Sequence, residues 1–352
     1  MYWSKLAQAL TPYVPGEQPK QKLIKLNTNE NPYPPSPNAI AAMVQAANDD
    51  LRLYPDPEAF ALREAIARVY GLAPENVFVG NGSDEVLALS FLAFCDPGRQ
   101  PALRYADITY SFYPVYASLF RMTAEVIPLK EDYTFPIERV CDDYCPLLIC
   151  NPNAPTSLGI STTDMERILS AIPSHPVLVD EAYGDFGHNS VIGLIPRFEN
   201  LLVIRTLSKS HGLAGLRVGY ALGSAHMIEG LNRIKNCFNS YPLDRIAQAG
   251  AAAAISDVAY TKQTLEKIVS TRDRTAASLR QMGFLCPDSS ANFLFAEHPE
   301  KSAAVLMAAL RHKGILVRHF SSQPRIANRL RITVGTDAEM AALLQALEEI
   351  LT

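Results

Sequence analysis

The sequence predicts an α/β protein: a large domain with a mainly parallel seven-stranded sheet, and a smaller α+β domain at the C-terminus. Three observations carry this prediction. Short apolar, β-branched runs alternate with helical patterns through the middle of the chain, which marks strand–helix units. After Leu243 the pattern changes to a long helical region followed by strand-like segments. With 352 residues, the chain also exceeds what one small core organises.

The elements follow in order. Residues 1–30, rich in Pro, Asn and Lys, read as an extended arm of the kind that crosses to a partner subunit. The large domain is expected over 31–245. Ser36 and Pro37 open a helix to about Asn48, serine as cap and proline at the first helical position. Asp56-Pro57 repeats the signal, and Gly71 closes that second helix after Tyr70. Strands are expected at Val77–Val79, Ala102–Tyr105, Ala124–Ile127, Leu147–Cys150, Val177–Val179, Leu201–Ile204 and Val218–Leu222, with helices such as Glu85–Phe94 and Asp164–Ile172 between them. Helices on both faces of such a sheet place ligands at the carboxyl ends of its strands. The small domain, 246–352, holds a helical region broken near Asp257 and ending at Met282-Gly283. Strands at Asn292–Ala296, Ile315–Arg318 and Leu330–Val334 follow, with helices at Ser302–His312 and Asp337–Leu351.

Charge argues against some classes of function. Lys and Arg number 32 against 36 Asp and Glu, a net charge of -4 without long blocks of one sign, which suggests neither nucleic acid nor an anionic membrane as partner. Nowhere do about eighteen apolar residues run together, and Met1–Leu10 is not followed by a small-residue cleavage pattern, so the cytoplasm is the expected compartment. The six cysteines are scattered without paired metal-ligand spacing, so no metal is expected.

Four segments placed after successive strands read as parts of one site. Gly80–Glu85 follows a strand and opens a helix, where glycines allow close backbone approach and free N–H groups bind phosphate. The same residues also read as a plain glycine turn capped by Ser83. In Val179–Tyr183 an apolar strand ends in Asp180, an acid that needs a cation such as a protonated pyridine nitrogen, with Tyr183 placed to donate to a ring oxygen. The bland alternative for Asp180 is a helix cap or an ordinary salt bridge. In Thr206–Ser210, followed by Gly212, Gly215 and Arg217, the hydroxyl-flanked Lys209 is suited to an imine bond with an aldehyde. Thr206, Ser208 and Arg217 are suited to a phosphate cup. In Asp107–Tyr116, Tyr110 is either a platform for a planar cofactor or a core aromatic.

Together these segments resemble the pyridoxal-phosphate-dependent aminotransferases of fold type I, over nearly the whole chain. Within that group the chain is most similar to the histidinol-phosphate aminotransferases. The resemblance rests on Leu26–Tyr33, Leu53–Asp56, Gly80–Glu85, Asp180–Tyr183, Thr206–Lys209, Ala214–Gly219, Ser240–Asp244 and Leu330–Gly335. It implies pyridoxal 5'-phosphate on Lys209, which then moves the substrate proton. It puts Asp180 on the ring nitrogen, Tyr183 on the ring oxygen and Tyr110 on the ring face, with Ser83, Asp84, Thr206, Ser208 and Arg217 around the phosphate. It also implies a homodimer in which Tyr54 reaches the neighbouring subunit's cofactor. Tyr13, Asn29, Arg318 and Arg331 are the implied substrate-binding residues. Many relatives carry Asn-Asn-Pro-Thr-Gly where this chain reads Asn153-Ala154-Pro155-Thr156-Ser157, and the second Asn bonds the ring oxygen. Alanine has no such donor, so either Asn153 takes over that bond or Tyr183 holds the oxygen alone.

The implied reaction moves an amino group between histidinol phosphate and 2-oxoglutarate, in histidine biosynthesis. Aromatic amino-acid aminotransferases and a threonine-phosphate decarboxylase share the site pattern. A non-catalytic cofactor-binding sensor is the reading from a different class, and such sensors usually carry an added DNA-binding region that this chain has no room for.

Overall fold

In the computed structural model residues 2–20, 23–187 and 190–352 are described. Within them the strands run β1 (Ile24–Leu26), β2 (Val77–Asn81), β3 (Leu103–Ala106), β4 (Ala124–Ile127), β5 (Leu147–Cys150), β6 (Val177–Asp180), β7 (Leu201–Thr206), β8 (Val218–Gly223), β9 (Phe293–Ala296), β10 (Ile315–His319) and β11 (Leu330–Thr333). The large sheet has the order β2-β8-β7-β6-β5-β3-β4. Only β8 runs against its neighbours β2 and β7. Its centre is buried on both faces: every residue of β5, β6, β7 and β8 is buried, so these strands are near-continuous apolar runs without alternation. Because β2, β7, β6, β5 and β3 are parallel, the loops that leave them gather at one edge, which is also where β8 enters.

The buried polar exceptions carry partners. Arg104, on β3, is fully buried, donates to the carbonyls of Asp142 (2.9 Å) and Cys145 (3.3 Å), and lies 4.2 Å over the Tyr144 ring. Arg205, on β7, meets Glu181 at 2.7 Å and also Asp185. Burying an unpaired guanidinium is far more costly than burying one with this many acceptors.

The small sheet has the order β1-β10-β11-β9, so the expected extended arm contributes a strand of its own. Ile24 and Leu26 pair in parallel with Ile315 and Val317, and a short helix, Lys5–Ala9, precedes them. The helix Arg245–Ser256, on the C-terminal side of the expected boundary, buries Ala247, Ala251, Ala254 and Ile255 in the large core. One expectation fails locally. Asp56 accepts from the N–H groups of Glu58 (2.9 Å) and Phe60 (2.8 Å) as a turn, and the helix starts only at Phe60. No helix among the described residues is long and apolar enough to cross a membrane.

Candidate active site

A cavity of about 470 Å³ opens where the carboxyl edge of the large sheet faces β10 and β11 of the small one. Its lining includes Tyr13, Asn29, Ser83, Asp84, Tyr110, Asp180, Tyr183, Thr206, Ser208, Lys209, Arg217, Arg318 and Arg331. Thirteen of the sequence-predicted site residues thus meet, although they span the chain.

One end is a cradle for an anion. The helix Gly82–Phe94 begins without a capping side chain, so among the described residues no cap claims the first-turn N–H groups at Ser83 and Asp84, which line the cavity. Gly82 has φ 81°, and a Cβ there would come within 2.6 Å of the Arg217 guanidinium. Arg217, itself left-handed at φ 56°, meets Asp84 at 3.0 Å. The Asp84 carboxylate is therefore a charge partner of Arg217, which leaves the main-chain N–H of Asp84 as the group that could serve an anion. Thr206 donates to Ser208 (2.9 Å), and both are buried at the floor. Gly219 closes the cradle: an added Cβ would lie 2.2 Å from the Ser83 nitrogen and 2.3 Å from the Gly82 carbonyl carbon. Gly219→Ala must push the helix start out of place, and a melting-temperature loss together with weakened phosphate-cofactor binding is expected, at about 1–3 kcal/mol for such overpacking. Calorimetry and cofactor titration read both.

At the other wall Asp180 ends β6. It is buried, accepts from Tyr113 Oη at 2.7 Å and from the Ala182 N–H at 3.1 Å, and has no ion pair among the described residues. Burial pushes its carboxyl up to about 6, against the pull of those two donors. Tyr183 is buried, with its phenol pushed up to about 12 by desolvation, and its oxygen accepts from Asn29 Nδ2 at 2.9 Å. Tyr110 donates to Asp84 (2.9 Å) and stands edge-on to Tyr113, ring centres 5.7 Å apart. Tyr113 and the Asn29–Tyr183 bond were not foreseen from sequence.

Lys209 follows the end of β7. Its Nζ donates to the Thr28 carbonyl at 3.2 Å and lies 5.9 Å from the Tyr183 ring centre. Burial, then the charge of Arg331, lowers its amine to about 8. A lysine so placed offers a larger neutral fraction near neutrality than a solvated one.

The small sheet supplies cations. Arg318 and Arg331 are cross-strand partners in the β10–β11 register, and neither has a carboxylate partner among the described residues. Arg331 donates to the Asn27 carbonyl (2.9 Å), while its buried Nε has no partner among the described residues. Tyr13 comes from the arm and packs its ring 4.5 Å from Phe112.

Two expected residues lie elsewhere. Asn153 cannot replace the donor missing at Ala154, because its amide is committed to the Ile108 carbonyl (2.8 Å) and to Thr156 (2.9 Å). Ala154 lines the cavity in its stead. Tyr54 is 80% exposed, stacked on Tyr241 at 4.8 Å, outside the cavity.

Pyridoxal phosphate fits this arrangement. A buried carboxylate with no cation beside it among the described residues faces an uncapped helix start and an arginine cradle across a cavity that also holds a lysine of lowered basicity, which are the complements of a pyridinium, a phosphate and an aldehyde.

Residues 21–347 match the family model described as aminotransferase class I and II. The chain is 53% identical over 350 residues to the histidinol-phosphate aminotransferase of Marinomonas sp. (strain MWYL1), covering 99% of each. To that of Clostridium acetobutylicum (strain ATCC 824) it is 49% identical over 349 residues, covering 99% of this chain and 98% of the relative. Among solved structures it superposes with a TM-score of 0.85 on histidinol-phosphate aminotransferase from Sinorhizobium meliloti in complex with pyridoxal-5'-phosphate, at 26% identity, covering 99% of this chain and 97% of that one.

Proposed function

Given that the chain belongs to the aminotransferase class I and II family, we propose that it moves an amino group between L-histidinol phosphate and 2-oxoglutarate, in histidine biosynthesis, with pyridoxal phosphate as cofactor. The observation that carries the substrate reading is the Arg318–Arg331 pair, two guanidiniums in the cavity of Lys209 with no carboxylate partner among the described residues. Histidinol phosphate offers a phosphate and 2-oxoglutarate a second carboxylate, and one arginine pair serves both by turns.

When bound, the cofactor supplies an electron sink for the carbanion left at the substrate's α-carbon. The residues do the rest. Lys209, its basicity lowered by burial, would take the α-proton as general base and deliver it to the cofactor's aldehyde carbon as general acid. Asp180 keeps its negative charge against the ring nitrogen, with Tyr113 and the Ala182 N–H holding it in line. Tyr183 donates to the ring oxygen. Ser83, Thr206, Ser208 and Arg217 fix the phosphate, so the ring does not swing as bonds change. Tyr13 and the two arginines hold the substrate's distal anion.

Loss of the cofactor's absorption band in a single half-reaction tests the reading, with histidinol phosphate, phenylalanine, tyrosine and threonine phosphate each added to purified holoenzyme. Fast conversion by histidinol phosphate is the expected result. Preference for an aromatic amino acid overturns the substrate and keeps the reaction, and an unchanged spectrum with every donor overturns both. Arg331→Ala is expected to raise KM for both substrates about 10²-fold, since removing one partner of a buried charge pair costs about 2–5 kcal/mol. Arg331→Lys should recover only part, because an ammonium lacks the two-pronged fork. Steady-state kinetics with each substrate varied reads this.

We also infer a homodimer working in the cytoplasm. Exposed Leu53, Tyr54, Phe238 and Tyr241 supply apolar surface that supports a subunit interface, and sedimentation of the holoenzyme tests it.

A further inference from the structure

We propose that Asn29 is a positioning residue that aims the hydroxyl of Tyr183 and ties it to the strand carrying Arg331. A phenol oxygen accepts and donates at once. Asn29 Nδ2, 2.9 Å away, occupies the accepting side. Among the described residues no acceptor takes the Tyr183 hydrogen, so it is left to point into the cavity, where a donor for a ring oxygen is wanted.

Asn29 is itself held at every polar atom. Its N–H donates to Thr333 Oγ1 (2.9 Å), its Oδ1 accepts from that same hydroxyl (3.1 Å), and its carbonyl accepts from Asn292 Nδ2 (3.1 Å). Its backbone is left-handed, φ 54°, a conformation asparagine tolerates better than most residues. An amide held at both its oxygen and its nitrogen is fixed in orientation, and so is the direction it imposes on the tyrosine.

The bracing comes from the substrate side. Thr333 stands two residues after Arg331 on β11, hence on the same face of the strand. Arg331 also donates to the Asn27 carbonyl, and Lys209 rests on the carbonyl of Thr28. Residues 27–29 therefore touch the substrate arginine at one end and Lys209 and Tyr183 at the other. With Ala154 unable to donate to a ring oxygen and Asn153 turned away, the aim of Tyr183 matters more.

The proposal rests on the reading that Tyr183 faces the cofactor's ring oxygen, and its test separates the two. Asn29→Gly keeps the left-handed backbone and removes the amide. Asn29→Gly, Tyr183→Phe and the double variant are compared by the pH midpoint of the bound cofactor's absorption change and by the single half-reaction rate. Both single variants should move the midpoint in the same direction. Asn29→Gly should slow the half-reaction about fivefold to tenfold, and the double variant should be no slower than Tyr183→Phe, as coupled contacts behave. A midpoint moved by Tyr183→Phe but not by Asn29→Gly, or rate losses that multiply in the double variant, overturns the Asn29 proposal alone. A midpoint unmoved by Tyr183→Phe overturns the underlying reading as well. Circular dichroism melting of each cofactor-free variant checks folding, and a lower melting point with an unmoved Asn29→Gly midpoint assigns Asn29 to structure only.

Discussion

Lys209→Ala is expected to slow the single half-reaction by about 10⁴-fold or more, since one group serves as the covalent anchor and as the acid–base catalyst. The same lysine should be a liability to the cofactor-free protein. Its amine sits at about 8 in the fold against an ordinary 10.5, because burial and Arg331 disfavour the charged form. Between those two values the unfolded chain holds a proton that the native one has released, so native stability rises with pH across that window. Below about 8 the full penalty is present. Lys209→Met keeps the aliphatic stem without the charge. It should therefore melt higher than the parent at pH 7, with the gap narrowing as pH approaches 10.5. Calorimetry of the two cofactor-free proteins from pH 7 to 10 reads the gap, and an equal or lower melting point for Lys209→Met at pH 7 would show that the amine is not strained by its surroundings.

Lys209, Asp180 and Arg217 were legible in the sequence because each belongs to a short run whose local context already has a purpose. A hydroxyl-flanked lysine after a strand, an acid ending an apolar strand and an arginine among glycines need no distant partner to stand out. Tyr113 had no such context, and Asn29, expected on the substrate, gave no sign of its bond to Tyr183. Their partners, Asp180 and Tyr183, lie 67 and 154 positions away, and only the folded sheet brings them together. The pairing of Arg318 with Arg331 is likewise a matter of strand register, which two separate apolar runs do not reveal. Ten of the eleven strands were read within a residue or two, those at the centre of the large sheet because burial on both faces writes them as continuous apolar runs, whereas the short β1 in the arm was missed. Their order was not read, and neither was the reversal of β8 between β2 and β7. At Asp56 the cap signal was present but the chain spent it on a turn, and at Asn153 an amide free in sequence had acceptors waiting on a neighbouring loop. In both cases the local chemistry was read correctly, and a competing local partner decided its use.

Asp180→Asn should show the opposite pulls of stability and function most clearly. In the fold its carboxyl sits at about 6 against an ordinary 3.8, with burial as the main cause. Between those values the native state holds a proton that the unfolded chain lacks, so stability falls as pH rises through the window, and the penalty is complete above about 6. An asparagine escapes it. Its oxygen can still accept from the Ala182 N–H, and its amide faces Tyr113, whose hydroxyl can turn from donor to acceptor. The cofactor-free variant is therefore expected to melt higher than the parent at pH 7, by a margin that shrinks toward pH 4. The order should reverse once the cofactor is bound. A neutral amide does not hold a proton on the ring nitrogen, and a hydrogen bond to a charged group is worth about 1.5–3 kcal/mol, so cofactor affinity should fall by about 10- to 100-fold. The half-reaction, which depends on that nitrogen staying protonated while charge develops, should slow by about 10³-fold. Melting curves at pH 7 with and without saturating cofactor test the crossing. A variant less stable than the parent in both states would mean that Asp180 serves the fold through Tyr113 and not the ring, whereas a crossing shows that the carboxylate is kept ionised against its surroundings for the sake of the cation it meets.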